Sequence, residues 1–394
     1  MKLLVLSHVP PSLTAANGGA RAVASLVIRL ARSHRVALLT LRAPDEEPID
    51  AELLQACELV VEAERVPARS SLARAWRERQ RVPLALSGAP GWAVALSVRA
   101  LGAELERIAS HWKPDLVQIE FVVMGQYIRR LHASAPVVIV DHDVSDDVGA
   151  LRERHAMRRF RARMLQDVAA VVAHTERDCA MLRSLAPSAR VSRIPIAVEL
   201  PPTALDPLGN GTDVLFSGNY IHPPNVAAAI RLSKGIFPRV ESRHGDARLL
   251  LVGPNPPDEL SALAGENVAV TGAVDDLRPY LDQASVVVAP LSEGGGMRVK
   301  VMEAIASGKA VVGTRLAVEG LDVESGEQVL VADDDETFAD AVVSILGDAR
   351  RRAALAGAAR RWAESNLSWD GIAEAYDALY ASVLDRRRSV AVTG

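Results

Sequence analysis

Short runs of β-branched and aliphatic residues alternate with longer amphipathic stretches along almost the whole chain, and this alternation limits the folds open to it. Lys2–His8, Arg35–Leu41, Leu116–Phe121, Val137–Val140 and Ala169–Ala173 are runs of the first kind. Gly18–Ser33 is of the second kind, with Ala20, Val23, Leu26, Val27 and Leu30 at helical spacing. Val94–Trp112 reads as another helix, stopped by Lys113-Pro114. Continuous apolar strands separated by helices imply a parallel sheet buried on both faces. Right-handed crossovers then make that sheet doubly wound.

The alternation lapses over residues 200–213, which are rich in Pro, Gly and Asp, and then restarts. Val214–Ser217, Arg248–Val252, Val268–Thr271, Val286–Pro290, Ala310–Gly313 and Val329–Val331 read as strands. Val226–Lys234, Leu277–Gln283, Arg298–Ser307, Asp335–Leu346, Ala349–Asn366 and Trp369–Leu384 read as helices. The organisation predicted is α/β with two doubly wound domains. Residues 1–200 form the first, 201–213 a linker, 214–367 the second, and 368–394 a closing helix and tail.

Composition narrows the function. With 394 residues and 49% hydrophobic content, the chain can bury two sizeable cores. Aromatic residues make up only 4%, which speaks against carbohydrate-stacking β modules. Cys57 and Cys179 are the only cysteines, too few for a disulfide framework or a thiolate zinc site. A formal charge of -4 excludes a general nucleic-acid binder driven by counterion release, so no nucleic-acid partner is expected. The charge is uneven: residues 1–200 carry 27 basic and 22 acidic side chains, leaving the remainder net acidic. Leu3–Leu6 is too short for a signal core, and no run approaches the ~20 apolar residues that span a bilayer. The expected location is cytoplasmic.

The most informative segment runs from Ala289 to Thr314. A strand ends near Pro290, Gly294-Gly295-Gly296 forms a loop without Cβ atoms, and a helix starts near Met297. Backbone N–H groups at such a helix start bind anions, usually phosphate. Arg298 and Lys300 add two cations, and Glu303 follows on the next turn, within reach of a ribose. The plain alternative is an ordinary strand–loop–helix connection with a solvated Arg and Lys. The spacing is not the G-x-G-x-x-G of dinucleotide folds, and no P-loop is present.

This segment resembles the donor-binding signature of the retaining glycosyltransferases of family 4, the group 1 glycosyltransferases. The match is to the variant reading Gly-Gly-Gly-x-Arg-x-Lys-x-x-Glu-Ala. Phe216–Asn225, Thr271–Tyr280, Val318–Leu321, Trp369 and Asn17–Ala20 also fit the family. The resemblance implies the GT-B fold: two Rossmann-like domains with an interdomain cleft, and C-terminal helices closing back on the first domain. It implies transfer of a sugar from a nucleotide diphosphate-sugar to a sugar, lipid-linked or small-molecule hydroxyl acceptor, with retention, in glycan or polysaccharide biosynthesis. It implies no metal and no other cofactor.

By position, the resemblance gives Arg298 and Lys300 the donor diphosphate and Glu303 the ribose. Gly294, Gly295, Gly296, Met297, Gly218 and Asn219 line the donor loops, and Ala273 and Val274 meet the base. Gly18 and Gly19 form the acceptor-side loop. The family's first motif glutamate would fall at Gly295; Glu293 lies two residues earlier and is its candidate substitute or a loop residue facing water. Two rival readings stay open: a nucleotide-sugar epimerase or phosphorylase of the same fold, and a non-catalytic donor-binding subunit.

Asp141-His142-Asp143 ends a first-domain strand, where a doubly wound fold places functional groups. The resemblance places His142 and Asp141 near the acceptor. The same residues spell a D-x-D metal pattern, or Asp143 caps a helix. Residues 151–165 carry six arginines opposite Leu151, Met157, Phe160, Met164 and Leu165. That segment reads first as a solvated helix face packed on the sheet. Its second reading is a peripheral contact with the inner membrane face. Trp76, Trp92 and Phe121 read as core.

Overall fold

A computed structural model of the chain describes residues 1–15, 18–44, 46, 48–65, 87–131, 135–142, 144 and 151–393. Trp76, Asn17 and Asp143 lie outside the described residues. The chain divides into two compact units, Met1–Pro195 with Trp369–Gly394, and Ile196–Ser368.

The first unit is built on β1 (Lys2–Ser7), β2 (Arg35–Arg42), β3 (Leu59–Glu64), β4 (Leu116–Glu120), β5 (Val137–Val140), β6 (Ala170–Ala173) and β7 (Val191–Arg193). Their order across the sheet is β3-β2-β1-β4-β5-β6-β7, with parallel pairing throughout. Leu3, Leu4, Val5 and Leu6 are fully buried, as a strand covered on both faces requires. The edge strands β3 and β7 escape sequence reading. They are mostly half-buried, so no continuous apolar run marks them.

The second unit repeats the plan with β8 (Asp213–Ser217), β9 (Arg248–Val252), β10 (Val268–Val270), β11 (Val286–Ala289), β12 (Val311–Gly313) and β13 (Leu330–Val331). Their order is β10-β9-β8-β11-β12-β13, again parallel. In each sheet the winding direction reverses once, between β1 and β4 and between β8 and β11. Such switch points open a crevice beyond the carboxyl ends of the two strands, where doubly wound folds bind ligands.

The C-terminal helix Trp369–Thr393 returns to the first unit and packs on helix Gly18–Leu30. His34 Nε2 lies 2.7 Å from Asp377 Oδ1 across that contact. Residues 201–208 run along the second unit. Arg360 donates to the Pro201 carbonyl at 2.8 Å, Leu205 N donates to the Ser307 carbonyl at 2.8 Å, and buried Lys309 donates to the Asp206 carbonyl.

The single helix expected over Val94–Trp112 is two, Gly91–Ala95 and Arg99–His111. Tyr127 stabilises the break: its hydroxyl donates to the Leu96 carbonyl at 2.7 Å and accepts from Val98 N at 2.7 Å. Backbone groups freed by the interruption are thus paired.

The arginine-rich helix Leu151–Met164 places Arg152, Arg158 and Arg159 outward, and Phe160 and Leu165 fully inward. Its apolar stripe is used by the core, while Leu151 stays 62% exposed. Arg161 departs from the expected charged face. It is buried and donates through Nε to Asp141 Oδ2 at 2.7 Å. Breaking a buried ion pair leaves an uncompensated charge. Arg161→Leu is therefore expected to cost about 3 kcal/mol in urea unfolding, with most of it recovered when Asp141→Leu is added.

Candidate functional site

Beyond the carboxyl end of β11, the loop Pro290–Met297 leads into helix Val299–Ala306. Gly294 and Gly296 adopt φ values of 111° and 68°, which side chains rarely tolerate. The loop therefore turns tightly enough to bring its carbonyls around one side chain. Arg298 Nη1 donates to the carbonyls of Gly295 and Gly296, and Nη2 to that of Gly294 at 2.9 Å. Arg298 is 9% exposed and directs its guanidinium at its own loop. The resemblance assigned this arginine to a diphosphate; in the structure its guanidinium bonds the carbonyls of the glycine triplet.

Lys300, two residues on, faces the neighbouring strand. Its ammonium lies 4.3 Å from the centre of the Phe216 ring on β8 and donates to Asn225 Oδ1 at 2.7 Å. Burial, and then the charge of Arg298, push its pKa down to about 7 against an opposing pull from Glu303. A lysine so depressed gains its full charge when an anion arrives beside it. Glu303 stands one turn further along the same helix and is half-buried. Met297 is buried, its sulfur accepting from Ile196 N at 3.3 Å.

A second helix start meets this loop. Helix Pro223–Arg231 follows β8 through Gly218, Asn219 and Tyr220, and Pro224 packs 3.8 Å from the Cβ position of Gly294. Gly218 leaves only 2.9 Å between its own Cβ position and Lys300 Nζ. Asn225 links the two, donating to the Asn219 carbonyl at 2.8 Å while accepting from Lys300. Arg231, at the far end of that helix, donates to the carbonyls of Pro290 at 3.2 Å and Asp333 at 2.6 Å, tying the ends of β11 and β13 together. The amide-bearing start of helix Val299–Ala306, a lysine and a clamped glycine loop thus converge at the β8/β11 switch point, an arrangement that binds phosphate. Helix Pro223–Arg231 opens with two prolines, which carry no N–H, and adds only the positive end of its dipole.

Ala273 is exposed and Val274 half-buried beyond β10, at the same carboxyl edge. Glu293 is half-buried in the glycine loop. Asp334 caps helix Asp335–Leu346 through Glu336 N and Thr337 N.

The first unit carries a second constellation at its own switch point. Gly18 and Gly19 open helix Gly18–Leu30 beyond β1. His8 follows β1, Phe121 follows β4 and His142 follows β5. Phe121 has a φ of 68°, a left-handed value costly for a non-glycine residue and common at functional sites. Its ring lies 4.4 Å from those of both His8 and His142. Trp92, 40% exposed, edges His8 at 5.5 Å and Phe121 at 6.3 Å. His142 Nε2 lies 2.6 Å from Glu120 Oε2 and its Nδ1 3.2 Å from His174 Nε2. Asp141, grouped by sequence with the acceptor loop, is instead committed to Arg161. Phe121 is half-buried and packs against the core, as expected, whereas the exposed Trp92 does not; both belong to a ring cluster at the carboxyl end of the sheet.

Sequence reading passed over Asn225, Arg231, Glu120 and His174. The signal for Glu120 was present: Gln118 and Glu120 stand two apart in an otherwise apolar strand, hence on one face of it. Among the described residues no cluster of three His, Cys, Asp or Glu could hold a metal ion. Among them, too, no helix is long and apolar enough to cross a membrane.

Residues 16–200 match the family model described as Glycosyltransferase Family 4, and residues 211–348 the model described as Glycosyl transferases group 1. A phosphatidyl-myo-inositol mannosyltransferase of Mycolicibacterium smegmatis is 31% identical over 36% of this chain and 38% of its own length. An uncharacterized 44.6 kDa protein in the cps region of Klebsiella pneumoniae is 26% identical over 34% of this chain and 36% of its own. The match thus spans little more than a third of the length of these two curated relatives. Among solved structures, sucrose-phosphate synthase of Thermosynechococcus elongatus is similar over 98% of this chain and 100% of that one. The TM-score is 0.75 at 16% identity. HepE of Anabaena, solved with UDP-glucose, is similar over 97% and 100%, with a TM-score of 0.68 at 14% identity. These likenesses establish the GT-B fold.

Proposed function

Because this chain belongs to the family 4, group 1 glycosyltransferases, we propose that it transfers a sugar from a nucleotide diphosphate-sugar to a hydroxyl acceptor with retention of configuration. The observation that carries this reading is the clamped Gly294–Gly296 loop leading to Lys300 at the N-terminus of helix Val299–Ala306, on the β8/β11 switch point. The HepE structures with UDP and UDP-glucose support a nucleotide-sugar as the ligand to test first.

In this reading the diphosphate sits against Lys300 and the N-terminal amides of helix Val299–Ala306. Charge grows on the departing phosphate oxygens as the sugar leaves. A fixed ammonium and aligned N–H groups meet that charge without reorganising, which lowers the barrier. Arg298 contributes by holding the loop carbonyls away from the phosphate, so that the amides face it. Glu303 hydrogen-bonds the ribose and Ala273–Val274 meet the base. We propose that the charge of Lys300, together with the helix amides, takes the place of a divalent metal, and that the reaction serves glycan biosynthesis.

Titration calorimetry with UDP, GDP, ADP and dTDP, each with magnesium or with a chelator, tests the reading. One nucleotide is expected to bind with or without magnesium. Failure of all four to bind overturns the donor assignment. Arg298→Ala is expected to lower turnover about 10²-fold. Arg298→Lys should not rescue it, because an ammonium lacks the planar fork that reaches three carbonyls. Steady-state kinetics against the bound nucleotide's sugars checks both variants. Gly295, at the family's first glutamate position, favours one second reading, a donor-binding subunit. Donor binding with neither transfer nor hydrolysis would select it, and formation of an isomer without acceptor would select an epimerase.

A further inference from the structure

The ring nitrogens around His142 can be assigned protons from their partners alone. His174 Nδ1 lies 2.8 Å from the Ile194 carbonyl, which only accepts, so Nδ1 carries the hydrogen. His174 is 2% exposed, and burial followed by the charge of His142 pushes its pKa down to about 3. Its ring is neutral, and Nε2 offers only a lone pair. His142 Nδ1, 3.2 Å away, must therefore donate to it.

The other nitrogen of His142 faces Glu120. Nε2 lies 2.6 Å from Oε2 of a carboxyl group with no exposed surface. The second oxygen of Glu120 accepts from Gln118 Nε2 at 2.5 Å, and the orientation of that amide is set by Tyr380, whose hydroxyl donates to Gln118 Oε1. Two lone pairs cannot face each other at such a separation, so a proton lies between His142 and Glu120. With Nδ1 also protonated, the pair holds one proton more than a glutamate anion beside a neutral histidine.

We propose that Glu120 is a positioning residue that keeps this extra proton on the pair, so that His142 anchors the ring cluster and does not serve as a base. Both ring nitrogens are committed, and the ring face is stacked on Phe121 at an interplanar angle of 30°. What the cluster offers outward is Trp92 and the half-buried rings of His8 and Phe121, a surface suited to the C–H face of a sugar ring. The acceptor role of this surface rests on the function proposed above; the proton assignment does not.

The other groups facing the pair come from β1, the C-terminal helix and the residue before His142. His8, beyond β1, is pushed down to about 4 by burial, then by the charge of His142, then by Arg65. Tyr376 and Tyr380, from the C-terminal helix, are raised by burial, with Glu120 adding to it in both. Asp141, beside His142 in sequence, is paired to Arg161.

Glu120→Gln tests this cleanly. The new amide oxygen accepts from Gln118 and its NH2 donates to His142 Nε2, so the network stays satisfied with one proton fewer. Nitrogen-15 NMR of histidine-labelled protein near pH 7 is expected to show two protonated nitrogens on His142 in the wild type. The variant should show one protonated and one bare nitrogen. A bare nitrogen on His142 in the wild type overturns the proposal, whether or not the variant folds. Glu120→Ala, which removes the partner of His142 Nε2 altogether, is expected to lower kcat/KM for the acceptor about 10-fold, the lower end of what loss of a histidine's orienting partner costs at metal sites. The Kd for nucleotide should not change. An unchanged kcat/KM would overturn the positioning role. Failure of the wild type to bind any nucleotide would instead overturn the donor reading and leave the NMR result standing.

Discussion

Lys300→Met is expected to lower kcat/KM about 10³-fold and at the same time to raise the melting temperature. The first effect follows from position: the ammonium stands against the Phe216 ring and beside Gly218, at the β8/β11 switch point. On the proposed function, it is the charge that meets the departing diphosphate. The second follows from its depressed pKa. Methionine keeps the length and apolar stem of lysine but removes an amine that burial disfavours in its charged form.

The pH dependence gives this prediction a sign. The folded protein binds fewer protons at this side chain than the unfolded chain does between about 7 and the ordinary 10.5. Stability of the wild type therefore rises with pH across that window. The penalty is fully present below about 7 and fades as pH approaches 10.5. Lys300→Met should be more stable than wild type at neutral pH, and the two should converge at alkaline pH. Scanning calorimetry across the range checks it; parallel curves would refute the assignment. Nucleotide binding should also take up about one proton near pH 8, measurable by calorimetry in buffers of different ionisation enthalpy.

Gly253→Ala is expected to destabilise the second unit by about 4 kcal/mol or more and to abolish nucleotide binding. Gly253 follows β9 with φ 143°, and a Cβ there would lie 2.0 Å from the carbonyl oxygen of Gly218. That neighbour is backbone, so no rotamer change relieves the clash. Gly218 N donates to the Val252 carbonyl at 2.9 Å, and Gly253 N to that of Gly272 at 3.2 Å. The loops beyond β8, β9 and β10 are thus laced together. Displacing Gly218 also displaces the wall against which Lys300 Nζ rests. Gly326→Ala is the matched control: φ is 93°, with nothing within 4 Å of the Cβ position. It should cost only about 1 kcal/mol of backbone strain. Equal losses in the two variants, measured by urea unfolding, would refute the steric account.

Much of the candidate site in the second unit was legible because its residues are neighbours in sequence. Gly294, Gly296, Arg298, Lys300 and Glu303 lie on one loop and one helix start, and local spacing already places them together. The direction of Arg298 was not legible. Whether a guanidinium faces a ligand or its own loop depends on how tightly the loop turns, and that depends on the backbone angles of Gly294 and Gly296. Asn225 and Arg231 were missed because their partners lie 75 and 59 residues away.

By itself the sequence determined the two parallel sheets and their helices. Continuous apolar runs can be buried only between two helical layers, and that requirement is local to each run. Tertiary structure alone decided the partners of charge. Asp141 met Arg161 on a helix expected to be solvated, and Glu120 met His142. Parallel register brings Glu120 level with Val140 and Val140 level with Val172, so the residues that follow these strands meet at one edge. Register is set by the packing of whole strands, and no periodicity within one segment encodes which distant segment will lie beside it.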